Sequence, residues 1–393
     1  MTSSRVLRSD EPTRTRSDRY GKIRKLLPIM VTLSQDIEYN RYSYGNILRY
    51  SGMMNRRAFL GSLGVASTTA LSGCTVFGQN SGATGPVQLA YDAAPPHFQA
   101  VVMDREGWFE AMDADFETDE ASCNSIVQLL TTGKADIGMI GVVPALVVAD
   151  SDVEAHVVSA SSKNGFVVLI AESVADRFEA DSGGFDAVDG RRFTLGTYPK
   201  GSVSDITARY WISNEREASL EDVELVHLGG PGAARQALLA GEVDGAVIPE
   251  PTPTLIEERT DAPYQRVARV EQFIPGEPAG VTVVRDAFAE KRPDAVAAFI
   301  DRHASATQFI HDNPDQAATY MSDVYGGENA LDASTARAAL DSPATQYTTD
   351  PHDITSGAEV LAEYAHRLGK TDSRLTADEL FDMSYYDRAV GDQ

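Results

Sequence analysis

Apolar positions along this chain fall into short blocks, and one compound block occurs twice. From Ala233 to Pro253 the chain reads AARQALLAGEVDGAVIPEPTP. Gln236, Leu238, Leu239 and Val243 take the spacing of an amphipathic helical stretch. Gly241 ends it, because glycine adopts the left-handed conformation without a Cβ clash. Asp244 sits in the turn, and Gly245 to Ile248 is a short apolar run that predicts a covered strand. Pro249 and Pro251 cannot donate to a ladder, so the strand stops there. Ser125 to Pro144, SIVQLLTTGKADIGMIGVVP, aligns with this stretch without a gap. Gln128 matches Gln236, Leu130 matches Leu238, Gly133 matches Gly241 and Asp136 matches Asp244. Two copies of helix, glycine, aspartate, strand and proline predict two similar α/β lobes, each with a parallel sheet. Ligands of such sheets bind beyond the carboxyl ends of the strands. The loops Gly141 to Pro144 and Pro249 to Pro251 are therefore expected on opposite walls of one cleft.

Patterning elsewhere fills in the frame. Val87 to Tyr91 reads as a first strand, Phe98 to Met103 starts a helix, and Phe116 to Thr118 is a second strand. Val153 to Ala160 and Phe166 to Ala171 are expected to pair around a turn at 161–165. Arg192 to Thr197 is a strand leading through Tyr198-Pro199-Lys200-Gly201-Ser202 into a helix from Val203 to Ser213. Val223 to Leu228 is the next strand, and Ala279 to Val284 is expected to return the chain to the first lobe. After Pro293, a first-turn proline, the chain reads as helical core, with Asn313-Pro314 ending one helix.

The N-terminal quarter has a different character. Up to Arg57 there are twelve Lys or Arg against five Asp or Glu, a surplus of seven positive charges. With the whole chain at −24, the rest carries −31, spread along its length. That surface excludes nucleic acid and anionic membrane as partners and fits a halophile's solvated acidic shell better than a cation-binding protein. Residues 53–74 resemble a twin-arginine lipoprotein signal. Arg56-Arg57 precede Phe59-Leu60, a small-residue apolar segment follows, and Leu71-Ser72-Gly73-Cys74 has the form of a lipobox. Cys74 is then the lipidated first residue of the mature chain, and 75–85 a linker. Residues 1–52 precede a segment that should itself be N-terminal, so translation is expected to start at Met53 or Met54, or else this extension is disordered. Two cysteines, Cys74 and Cys123, allow no disulfide framework, and the seven histidines have no metal-ligand spacing. Neither a metal nor a cofactor is expected.

Several residues are candidates for binding. Thr197 to Asp205 stands at a strand end and a helix start, where free N–H groups and the helix dipole favour an anionic oxygen. Tyr198, Ser202 and Val203 are the candidates there, with Ser202 equally readable as a plain helix cap. Asn124, Ser125 and Val143 take the matching places in the first lobe. Glu250 reads as a ligand or hinge group or as a solvated loop residue, and Phe98 as a ring to stack on a ligand or as core. Gly229 to Gly232 is no nucleotide loop, since no Gly-Lys-Ser/Thr follows. Cys123 has no histidine in recognisable relation to it and reads as a small buried residue.

The order of these parts resembles the nitrate, sulfonate, taurine and thiamine-precursor class of solute-binding proteins that serve ABC importers. The likeness rests on EGWF with its following strand, LTTGKADIG, GRRFTLGTYPKGS, LLAGEVDGAVIPEP and the RPDAVAAFI helix. It implies an α/β, two-lobe periplasmic-binding-protein architecture closing on a small molecule. Lobe 1 is then expected over 86–175 and 276–393, and lobe 2 over 176–275. The expected function is that of an importer's extracytoplasmic lipoprotein, a monomer held by its lipid and working with a permease and its ATPase. An enzyme on the same fold and an extracytoplasmic sensor are the alternatives; the export signal and the lack of an acid–base pair argue against the first.

Overall fold

The computed structural model describes residues 85–258, 263–326 and 331–391. Two mixed sheets form its frame. The first contains β1 (Val87–Tyr91), β2 (Phe116–Glu120), β3 (Ile137–Ile140), β4 (Ala155–Lys163), β10 (Pro278–Arg285) and β11 (Gln346–Tyr347). The second contains β5 (Phe166–Ala171), β6 (Phe193–Thr197), β7 (Val223–His227), β8 (Gly245–Pro249) and β9 (Tyr264–Arg269). Strand order is β11-β4-β10-β3-β1-β2 in one and β7-β6-β8-β5-β9 in the other. Setting β11 aside, the two orders superpose: β2-β1-β3-β10-β4 matches β7-β6-β8-β5-β9.

The repeat predicts a parallel sheet in each lobe, but neither sheet is wholly parallel. Three strands in each are parallel, and the fourth runs against them: β10 beside β3, and β5 beside β8. The reversed strands are those that have just crossed from the other sheet. The expected hairpin of 153–160 with 166–171 does not form. β4 pairs with β10, whereas β5 leaves for the second sheet and lies between β8 and β9. Asn164 explains the departure. It sits at φ +59°, and its side chain accepts the Gly276 N–H at 3.1 Å and donates to Gln346 at 3.1 Å. Tied to the second crossover in this way, the turn carries the chain onward rather than back.

Both copies of the repeat fold alike. In the first, α2 (Cys123–Thr131) ends near Gly133 at φ +71°; in the second, α5 (Pro231–Leu239) ends near Gly241 at φ +67°. Each aspartate then pins the strand beside it. Asp136 accepts the Gln88 N–H at 3.1 Å and donates its own N–H to the Gln88 carbonyl at 2.8 Å. Asp244 accepts the Thr194 N–H at 2.8 Å and donates back to the Thr194 carbonyl at 3.0 Å. Each also meets an arginine: Arg285 at 2.5 Å from Asp136, and Arg191 at 2.6 Å from Asp244.

Helices cover both faces. α1 (Phe98–Arg105) and α7 (Pro293–Asp312) bury Phe98, Met103, Val296, Phe299 and Ile300 against the first sheet. α3 (Val142–Ala149), α4 (Val203–Tyr210) and α10 (Thr355–Arg367) share one large apolar cluster reaching both sheets. Phe178, Phe185, Phe193 and Trp211 stack within it, with the Arg216 guanidinium 5.3 Å from the Phe178 ring centre. Among the described residues no helix is long and apolar enough to cross a membrane.

Candidate functional site

The crossovers, at 164–165 and 270–277, stand beside a small, half-open cleft. Its walls come from five places in the chain. Pro95 and Pro96 follow β1; Ser162, Lys163 and Gly165 close β4; Pro249, Glu250 and Pro251 close β8; and Ala279 opens β10. The fifth contribution is C-terminal: Met321, Ala339 and the stretch Ala344 to Tyr347. Sequence reasoning assigned no site to that last hundred residues. Small apolar side chains there carry no chemical signal, and only their packing against the cleft reveals them.

Glu250 is the one sequence-predicted ligand residue on these walls. It is 6% exposed. Its carboxylate accepts from Arg266 at 2.6 Å and from the Thr254 hydroxyl and N–H at 3.1 and 3.2 Å. Arg266 also reaches Glu257 at 2.7 Å, Thr254 at 2.9 Å and the Ser342 hydroxyl at 2.9 Å. Lys163 meets Asp353 at 2.6 Å. Ser162 and Tyr347 donate to the Pro96 and Pro95 carbonyls, both at 3.0 Å. These bonds hold the loop after β1 to the first sheet and to the C-terminal stretch.

Two buried titratable groups lie just behind the walls. Glu277, in the second crossover, is wholly buried, and neither carboxyl oxygen makes a hydrogen bond of ordinary geometry. Loss of water pushes its pKa up to about 8, an effect the nearby Gly165 N–H offsets in part. His97, next to Pro96, packs its ring on Gly280; burial pushes its pKa down to about 3 and keeps the ring uncharged.

The other candidates stand off these walls. Asn124 is exposed on the first turn of α2, and the Ser125 N–H donates to Ser122, the residue that caps the helix. Val143 faces the core from α3, because β3 runs straight into that apolar helix and leaves no open loop. Gly141 to Pro144 therefore does not wall the cleft as expected. Ser202 caps α4, accepting the Asp205 N–H at 3.3 Å, and Val203 is buried beside it. The Tyr198 N–H donates to Ser204 at 3.0 Å while its ring packs on the second sheet's helix-covered face. Phe98 is core, in ring contact with Tyr325 and Tyr347. Cys123 is half-buried and its thiol donates to Asp92 at 3.0 Å. Arg56, Arg57 and Cys74 lie outside the described residues. Among the described residues no group of three His, Cys, Asp or Glu is placed to hold a metal.

The profile of the NMT1-like family matches residues 82–323. No curated protein matches the chain in sequence. Among solved structures, the periplasmic aliphatic sulphonate binding protein SsuA from Escherichia coli superposes with a TM-score of 0.60 at 14% identity, covering 76% of this chain and 92% of that one. The periplasmic nitrate-binding protein NrtA from Synechocystis PCC 6803 gives 0.59 at 13%, covering 78% and 88%. The alkanesulfonate-binding protein SsuA from Xanthomonas axonopodis pv. citri, bound to MOPS, gives 0.57 at 16%, covering 75% and 98%. At such identities the likeness carries the fold: two lobes of periplasmic-binding-protein type.

Proposed function

The chain belongs to the NMT1-like family, and from that premise we propose that it is the solute-binding lipoprotein of an ABC importer. It captures one small molecule in the cleft at the crossovers and hands it to a membrane permease driven by an ATPase. The observation that carries this reading is the meeting of two sheets of matched strand order at that cleft. Rotation about segments 164–165 and 270–277 closes one lobe on the other, and closure follows from contacts the ligand makes to both. Lobe 1 then holds the first sheet with the C-terminal helices, and lobe 2 the second sheet.

Arg56-Arg57 direct export, and a lipid on Cys74 holds the protein to the outer face of the membrane as a monomer. Cys74→Ala should free the mature protein from the membrane fraction; a variant that stays bound sinks the anchor. The binding role is tested by native mass spectrometry of the protein as purified, and by calorimetry against nitrate, taurine, alkanesulfonates and pyrimidines. A bound small molecule released by unfolding, and not turned over, supports it; turnover would revive an enzyme.

A further inference from the structure

We propose that the cleft takes an uncharged, largely apolar molecule and rejects oxyanions. The inference rests on the binding role just proposed and names the ligand class of the same site. It follows from an accounting of the charged groups on and behind the walls. The Lys163 ammonium is matched by Asp353 at 2.6 Å. Arg266 spends four of its five N–H donors inside the chain, on Glu250, Glu257, Thr254 and Ser342. No free fork remains for the two-oxygen grip that arginine gives a sulfonate or carboxylate. Glu250 fills the place an incoming oxyanion would want, since it already holds Arg266 and the Thr254 N–H. His97 behind the wall adds no positive charge at neutral pH.

The second strand end offers an anion no better reception. At the start of α4 the Gly201 N–H donates to the buried Asp205 carboxylate at 2.9 Å, and Arg209 pairs with that same carboxylate. A chain of net charge −24 adds long-range repulsion. Against this, most of the wall is apolar: four prolines, three alanines and Met321. Among the described wall residues one side-chain polar atom is buried with no partner, the Thr345 hydroxyl. A hydroxyl both donates and accepts, so it suits an amide, a carbonyl or a ring nitrogen without demanding charge.

The test is calorimetry at fixed ionic strength with ring-sized fragments in matched anionic, uncharged and cationic forms, benzoate, benzamide and benzamidine among them. Methanesulfonate and nitrate are added as plain oxyanions. Uncharged members are expected to bind at least roughly tenfold tighter than their anionic partners, and Thr345→Val to weaken them about fivefold to tenfold. Glu250→Gln, which leaves Arg266 short of a carboxylate, is expected to gain affinity for benzoate or methanesulfonate. Wild-type protein that binds any of the anions as tightly as the uncharged partner overturns the charge assignment and leaves the binding role intact. Should no fragment of any charge bind, the assignment of an uncharged ligand falls, and native mass spectrometry of the protein as purified decides the binding role separately. The wild-type ranking decides even if Glu250→Gln does not fold.

Discussion

The first and second copies of the repeat fold alike until the strand ends, and then part. Up to that point each supplies a glycine at φ near +70° and an aspartate bonded twice to the neighbouring strand. Beyond it, β3 enters α3 at once, and its first turn is buried in the core. β8 instead ends in Pro249-Glu250-Pro251 and puts a buried carboxylate at the cleft. The shared Gln, Leu, Gly and Asp thus build the scaffold, and the cleft wall comes from the segment after β8, where the two copies part. The arginines differ as well. Arg285 comes from β10, the strand that returns across the lobes, and its side chain is 10% exposed; Arg191 comes from the turn before β6 and is 46% exposed.

That contrast is open to test. The largest effect is expected from Arg285→Ala, which strands Asp136 in the sheet; loss of one partner of a buried pair costs about 3–5 kcal/mol, measurable by urea unfolding. A cost near that of Arg191→Ala would erase the distinction. Next comes the crossover that joins the lobes. Glu277 rises from an ordinary value near 4.5 to about 8 on folding, so the folded state holds the proton more tightly. Stability should therefore be full below about pH 4.5 and fall as pH climbs to about 8, and Glu277→Gln should flatten that part of the melting profile. An unchanged slope would mean the carboxyl is charged or hydrogen-bonded in the native state.

Arg191→Ala should cost roughly 1–2 kcal/mol in dilute buffer, since Asp244 keeps its bonds to Thr194. The nearby Arg191 holds the Asp244 carboxyl below its usual range, so this stabilisation is present above about pH 4 and fades as pH falls further. Molar potassium chloride should shrink the Arg191 effect and spare that of Arg285, because salt screens the exposed pair. The smallest expected changes are Gly133→Ala and Gly241→Ala, about 1 kcal/mol each from the left-handed backbone. The two should cost alike, as a Cβ at Gly133 would meet Arg285 at an ordinary contact distance of 3.4 Å and one at Gly241 open space.

The repeat was legible because glycine and aspartate mark turns whatever lies around them. Gly133, Gly241, Asp136 and Asp244 all stand where their residue types require. The crossovers were not legible. Lys163-Asn164-Gly165 reads locally as a hairpin turn, and only the bond from Asn164 to Gly276, 112 residues away, redirects it. The cleft was readable at one residue, Glu250, where a lone carboxylate sits between two prolines. Its other walls are mainly prolines, alanines and scattered single polar residues gathered from distant segments, and such residues announce nothing until they meet. Glu277 lies in a Pro-Gly-Glu-Pro stretch that looks like solvated loop, yet two glycines, Gly276 and Gly357, let the backbones close over it.

The C-terminal stretch has a kinetic consequence. Between α9 (Ala333–Leu340) and β11 it crosses the cleft, and Ser342 bonds to Arg266 while Gln346 bonds to Glu271 at 3.0 Å, both partners belonging to the second lobe's side. Separation of the two sheets along this seam would break these bonds. On the binding role proposed above, a strap remote in sequence from the cleft's strands sets residence time, and Gln346→Ala should hasten ligand release measured by stopped-flow dissociation.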